Sequence, residues 1–161
     1  MMMRRSVLFG VVALVAGLLL ALSPAASADS VIHKVSVGSA DILPPPGSDA
    51  NFSLSAIQRA DGSVKGQWQD TFFGRGNPAL ALHVKVDCLV VVGNEAWVSG
   101  VITRPSFFAG LPAVTRVSDN GTSANDPADQ VSFTSIDIGV TCTDQPDLPL
   151  FDLINGQVKV Q

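Results

Sequence analysis

The chain has no tyrosine, two histidines, two cysteines, and three methionines that all stand at positions 1–3. Its one glutamate is Glu95, so a glycosidase-like carboxylate pair would have to come from aspartates, and nothing selects two of them. His33 and His83 stand at no metal-ligand spacing from each other or from the cysteines, which leaves a zinc site without support. No Gly-x-Ser-x-Gly elbow surrounds any serine. Helical periodicity over a full 11-residue window is missing after residue 28. Positive charge is also scarce, with 10 Lys and Arg against 14 acidic residues and a net charge of −4. Such a balance gives no electrostatic reason to bind nucleic acid or anionic headgroups. The sequence implies no cofactor and singles out no catalytic residue.

What is present begins with an export leader. Arg4 and Arg5 precede a 16-residue apolar run over residues 7–22, and Pro24-Ala25-Ala26-Ser27-Ala28 ends in an Ala-x-Ala site. The run is shorter than the roughly 20 residues a membrane-spanning helix needs, so cleavage after Ala28 is favoured over an uncleaved anchor. Arg4-Arg5 partly matches a twin-arginine signal, but the strong hydrophobicity of the run favours the general secretory route. The expected organisation is a signal peptide over 1–28 and one β domain over 29–161, secreted and without stable membrane insertion once the leader is gone. Cleavage leaves 133 residues and moves the net charge from −4 to −6. Cys88 and Cys142 then reach an oxidising compartment. Two buried free thiols and one disulfide are the alternatives, and the compartment favours the disulfide, which closes a 54-residue separation.

Valine outnumbers leucine 17 to 9 after residue 28, and β-branched side chains suit a pleated sheet. Residues 30–37, 51–58 and 63–69 read as strands, the last two joined by an Asp61-Gly62 turn. The clearest element is residues 79–103. Leu80, Leu82, Val84, Val86 and Cys88 alternate with Ala79, Ala81, His83, Lys85 and Asp87, and Gly93-Asn94 turns the chain back as a type II′ hairpin. That turn places Val90 opposite Trp97, Cys88 opposite Ser99 and Val86 opposite Val101. Residues 89–92 are apolar on both faces, so this end is either covered twice or bulged. Short strands over 114–118 and 157–161, and a run over 131–141 whose parity switches near Ser135, complete about eight strands. The expected fold is all-β, a small antiparallel β-barrel, with an immunoglobulin-like β-sandwich as the alternative. Against the sandwich, Trp97 follows Cys88 too closely and the chain lacks the corner tyrosine.

Several pieces carry a resemblance: Val86-Asp87-Cys88-Leu89, Val92-Gly93-Asn94-Glu95-Ala96, Gly100-Val101-Ile102-Thr103, Val117-Ser118-Asp119-Asn120-Gly121, Asp129-Gln130-Val131-Ser132, Cys142 and the ending over 156–160. From Asn51 onward the chain resembles a group of small exported, mainly actinobacterial hypothetical proteins. It departs from them after Asn120-Gly121, where Thr122-Ser123 replaces a more usual acidic residue. The resemblance implies export and the fold class, and no activity.

Three constellations are candidate sites. Asp119, Asn120, Asp126 and Asp129 gather oxygen ligands in one loop and are weak calcium candidates, since their spacing is not that of an EF-hand. Turn aspartates bonding local amides explain them better. Phe72-Phe73 and Phe107-Phe108 are paired aromatics in loops that would rim the mouth of an apolar cavity, or else plug one barrel end. His83, Lys85 and Asp87 share a strand face at two-residue intervals, which a charged outer face explains better than an acid–base set. The expected function is an exported, non-catalytic β-barrel that binds a small apolar ligand or a cell-envelope component. A hydrolase or isomerase using the barrel interior, and a surface protein-interaction module built on the Phe107-Phe108 loop, are the competing classes.

Overall fold

Ten antiparallel strands, most of them marked by alternation of apolar and polar residues, form among the residues described by the computed structural model, 29–40, 51–71, 77–123 and 125–161. They are β1 (Val31–Ala40), β2 (Phe52–Arg59), β3 (Val64–Asp70), β4 (Leu82–Val92), β5 (Glu95–Arg104), β6 (Pro112–Ser118), β7 (Gln130–Ser132), β8 (Ser135–Ile136), β9 (Leu150–Asp152) and β10 (Asn155–Val160). All belong to one strongly curled, barrel-like sheet in the order β10-β1-β2-β3-β4-β5-β6-β7-β9, with β8 paired to β6. One continuous sheet replaces the two packed sheets of the sandwich alternative. Ten strands appear rather than eight because the run over 131–141 breaks into β7 and β8, and β9 forms from an apolar stretch with no alternation to mark it. The leader expected over residues 1–28 lies outside the described residues.

The inner face is paved row by row. Val37, Leu54, Trp68, Val84 and Ile102 are successive cross-strand neighbours, and all five are buried. One level along, the row reads Val35, Ala56, Gly66, Val86, Gly100, Ala113. Small residues at Ala56, Gly66, Gly100 and Ala113 let the sheet bend sharply at this level. A Cβ built on Gly100 would run into the Lys85 carbonyl oxygen and lie 2.9 Å from Val86 Cα. One on Gly66 would run into the Ser55 carbonyl and lie 2.7 Å from Ala56 Cα. Backbone cannot step aside as a side chain can. Gly100→Ala is therefore expected to destabilise the fold by about 2–3 kcal/mol, read as a lowered urea midpoint; an unchanged midpoint would show that the strands part freely.

A β-bulge sets which side of β4 faces the core. The register passes from Val86↔Gly100 to Cys88↔Ser99, so Asp87 is the extra residue. Val90↔Trp97 and Cys88↔Ser99 pair as the hairpin turn requires, whereas Val86 meets Gly100 rather than Val101. Before the bulge Leu82, Val84 and Val86 face inward; beyond it Leu89 does, and Cys88 turns outward. The doubly apolar end of β4 is thus both bulged and covered, because a strap over residues 137–149 crosses its outer side. Cys88 is bonded to Cys142 there, with Cα atoms 6.0 Å apart, and the Ser99 hydroxyl accepts the Cys142 N–H at 3.2 Å. Trp97 donates its indole N–H to the Pro146 carbonyl at 2.9 Å, and the Arg116 guanidinium stands 5.1 Å from the Trp97 ring centre. Arg116 also pairs with Glu95 and with Asp147, each at 2.8 Å. Where the strap turns at Cys142–Asp144, the Thr141 backbone N–H and hydroxyl both donate to Asp144 and hold its carboxyl below the ordinary carboxylate value.

Candidate functional site

The aspartates of the 119–129 loop are committed to N–H donors. Asp129 is buried and accepts the Asn120 N–H at 2.7 Å on one oxygen and the Val158 N–H at 2.6 Å on the other. Asp119 accepts from Gly121 N at 3.2 Å and from Val160 N at 3.0 Å. The side-chain oxygen of Asn120 accepts from Asn94 Nδ2 at 3.1 Å and from the Ser118 hydroxyl at 2.9 Å. Asp126 accepts from Ser123 N at 2.8 Å. A cation at this loop would have to take these oxygens from the amides they now hold. Among the described residues, no three His, Cys, Asp or Glu side chains cluster so as to hold a metal ion.

What the loop does instead is close the curl. Strand β10 ends one side of the sheet, and its Val158 and Val160 amides point away from β1 with no strand to pair with. Asp119 and Asp129, which flank the β6–β7 loop, supply the missing acceptors, and the Asp129 carbonyl takes the Leu153 N–H at 2.8 Å. Two carboxylates therefore stand in for a strand edge. Sequence reasoning linked these aspartates to local turns and missed their long-range partners, because no periodic signal joins residue 129 to residue 158.

The aromatic pairs divide. Phe72 and Phe73 lie outside the described residues. Phe108 packs against the core cluster, while Phe107, at 63% exposure, points to solvent with its ring centre 4.6 Å from that of Phe108. A second aromatic contact, Phe133 on Phe151 at 4.4 Å, sits half-exposed near β7 and β9. Trp68, Phe52, Leu82 and Ile102, each no more than 2% exposed, fill the interior beneath. The Trp68 indole N–H is buried there without an acceptor.

A concavity among the described residues lies on the opposite, outward side. An open groove of about 690 Å³ crosses β2, β3 and β4, presenting Ser53, Ser55, Gln67, Gln69, His83 and Lys85. Register explains the set: Ser53 pairs with Gln69 and Ser55 with Gln67 across β2–β3, then Gln69 with His83 and Gln67 with Lys85 across β3–β4. Each has a buried neighbour on its strand, on both sides for all but Gln67, so alternation aims it outward. Gly66 adds no side chain here, and no carboxylate lines the groove. Thr103 at its rim donates to the His83 carbonyl at 3.0 Å. His83 and Lys85 thus belong to a hydrogen-bonding surface, while Asp87 stands apart at the bulge. Among the described residues neither histidine side chain hydrogen-bonds a carboxylate or hydroxyl. The Asp61-Gly62 turn made this β2–β3 pairing derivable from sequence; the groove it builds needed the twist of the sheet. A scan against protein-family models, a search of curated proteins and a search of solved structures each return no match to the chain.

Proposed function

We propose that the protein is an exported, non-catalytic module that binds a component of the cell envelope on the outer face of β2, β3 and β4. The observation that carries this reading is the position of the open space. Bulky side chains take up the interior, whereas the groove outside presents amides, hydroxyls and basic groups beside parts of Val37, Leu54, Trp68 and Val84. A small apolar ligand inside the barrel would compete with Trp68 and Phe52 for the same volume. The leader sequence and the disulfide support a destination outside the cytoplasm, and no helix among the described residues is long and apolar enough to cross a membrane. Amide and hydroxyl groups fixed on rigid strands suit a polyhydroxylated surface, because neither partner must reorganise to exchange water for protein.

The test is co-sedimentation of the purified mature domain with envelope isolated from its own host. The wild type is expected to pellet with the envelope, and Gln67→Ala combined with Gln69→Ala to lower the bound fraction at least tenfold. Both side chains point outward from the sheet, so the double variant should melt like the wild type. Equal pelleting of both proteins, or pelleting of neither, would overturn the proposal. Native mass spectrometry of host-purified protein covers the interior: a retained lipid-like mass would return the site to the barrel.

A further inference from the structure

All four lysines of this acidic chain lie on one outer face of the sheet. Lys159 stands on β10, Lys34 on β1, Lys65 on β3 and Lys85 on β4, and each is exposed. Their strand neighbours Val158, Val35 and Val84 are buried, so alternation turns the lysines outward. The register arranges them in two rows. One row runs Lys159, Ser36, Ser55, Gln67, Lys85, and the next runs Lys34, Ile57, Lys65. Four strand spacings separate the end lysines of the first row, about 19 Å, and two separate those of the second, about 10 Å. Between Lys159 and Lys85 stand only hydroxyl and amide side chains. No lysine is ion-paired among the described residues, where the salt bridges belong to Arg116. On these five strands Asp87 is the only described carboxylate facing the same way, with Asp61 at the turn beyond. Most carboxylates elsewhere among the described residues lie on the strap, the closing loop and β9.

We propose that this face is a docking surface for an anionic polysaccharide. The inference rests on the groove reading above and names its ligand class. Unpaired lysines at both ends of a polar row match a chain that carries negative charges at intervals, with neutral hydroxyls between them. Other polyanions fit less well. The rings lining the groove are the His83 imidazole and the buried Trp68, too few for bases to stack on in succession. Its apolar residues Val37, Leu54, Trp68 and Val84 are buried rather than free to enter a bilayer. An extended peptide would seek a free strand edge rather than the middle of a sheet. Segregation keeps the binding local: the molecule as a whole is anionic, yet this one side is cationic.

The probe is polygalacturonate, with dextran of similar length as the neutral control, measured by isothermal titration at 50 and 300 mM NaCl. Polygalacturonate is expected to bind and dextran to bind at least tenfold more weakly. The higher salt, and separately the double variant Lys65→Glu/Lys85→Glu, should each weaken binding at least tenfold, with the melting midpoint unchanged. Asp152→Lys, placed on β9 away from this face, should leave affinity within twofold. Absence of polygalacturonate binding, equal binding of dextran, or indifference to Lys65→Glu/Lys85→Glu would overturn the inference. Tighter binding to phosphatidylglycerol vesicles or to single-stranded DNA would overturn the choice of polysaccharide. Envelope co-sedimentation separates the two readings. If it persists and depends on Gln67 and Gln69 while polygalacturonate fails, the ligand class is wrong and the groove stands. If both fail, the groove reading falls as well.

Discussion

Asp129→Ala is expected to destabilise the protein by about 3–5 kcal/mol, since it removes two charge-assisted hydrogen bonds and strands two amide donors. The Val158 N–H that Asp129 accepts belongs to a residue with no exposed surface, so water cannot replace the lost acceptor without opening the barrel. Asp129→Asn keeps the shape and one acceptor oxygen but turns an NH₂ toward a backbone N–H, and it should recover less than half of the loss. Asp126→Ala, whose one side-chain partner among the described residues is the exposed Ser123 amide, should change stability by less than about 1 kcal/mol. Urea denaturation supplies the three values. Hydrogen exchange supplies the mechanism, because the Val158 and Val160 amides should lose protection in Asp129→Ala before those of β4 and β5 do. Uniform loss of protection, or a shift below 1 kcal/mol, would mean that pairing of β10 with β1 suffices to hold the end of the sheet.

Removing the disulfide, as Cys88→Ala with Cys142→Ala, is expected to lower stability by about 4 kcal/mol, the loop-closure value for a 54-residue separation. Part of that effect is a property of the unfolded chain and leaves no trace in folded contacts. The rest is visible on the outer side of β4 and β5. There the strap shields Trp97, whose indole bond to the Pro146 carbonyl depends on the strap's position. With the bridge gone, Trp97 fluorescence should shift to longer wavelength and become open to iodide quenching, while Trp68 stays shielded under the sheet. Single-tryptophan variants resolve the two signals. An unaltered Trp97 spectrum would show that Arg116, with its bonds to Glu95, Asp147 and the Leu148 carbonyl, holds the strap by itself.

Much of the sheet was legible because the two-residue period is a local signal. Leu82, Val84 and Val86 announce their strand, and Gly93-Asn94 gives a hairpin register that holds at Val90 and Trp97. It fails at Val86 because one added residue at Asp87 shifts the pairing, and a bulge has no side-chain pattern of its own. Strand β9 escaped notice for a different reason, and β8 showed only as the parity switch near Ser135: each is two or three residues long and exists through its partners. The candidate site was legible in pieces. Ser53, Ser55, Gln67 and Gln69 are plainly outward in the sequence, but outward polar residues are ordinary. Only the assembly of five strands brings lysines from positions 34, 65, 85 and 159 to one side, a juxtaposition that spans nearly the whole chain. Net charge averages over the whole surface, so it carries no trace of the lysine face that the fold assembles.

Closing the curl with carboxylates also bears on how the protein behaves when crowded. A bare strand edge invites pairing by a second chain, and such templating begins many routes to aggregation. Along β10 the two amides that would recruit a stranger are already held by Asp119 and Asp129. The charges beside them make a flat approach by another strand unfavourable. The guard needs no partner protein, because both carboxylates come from the chain's own β6–β7 loop.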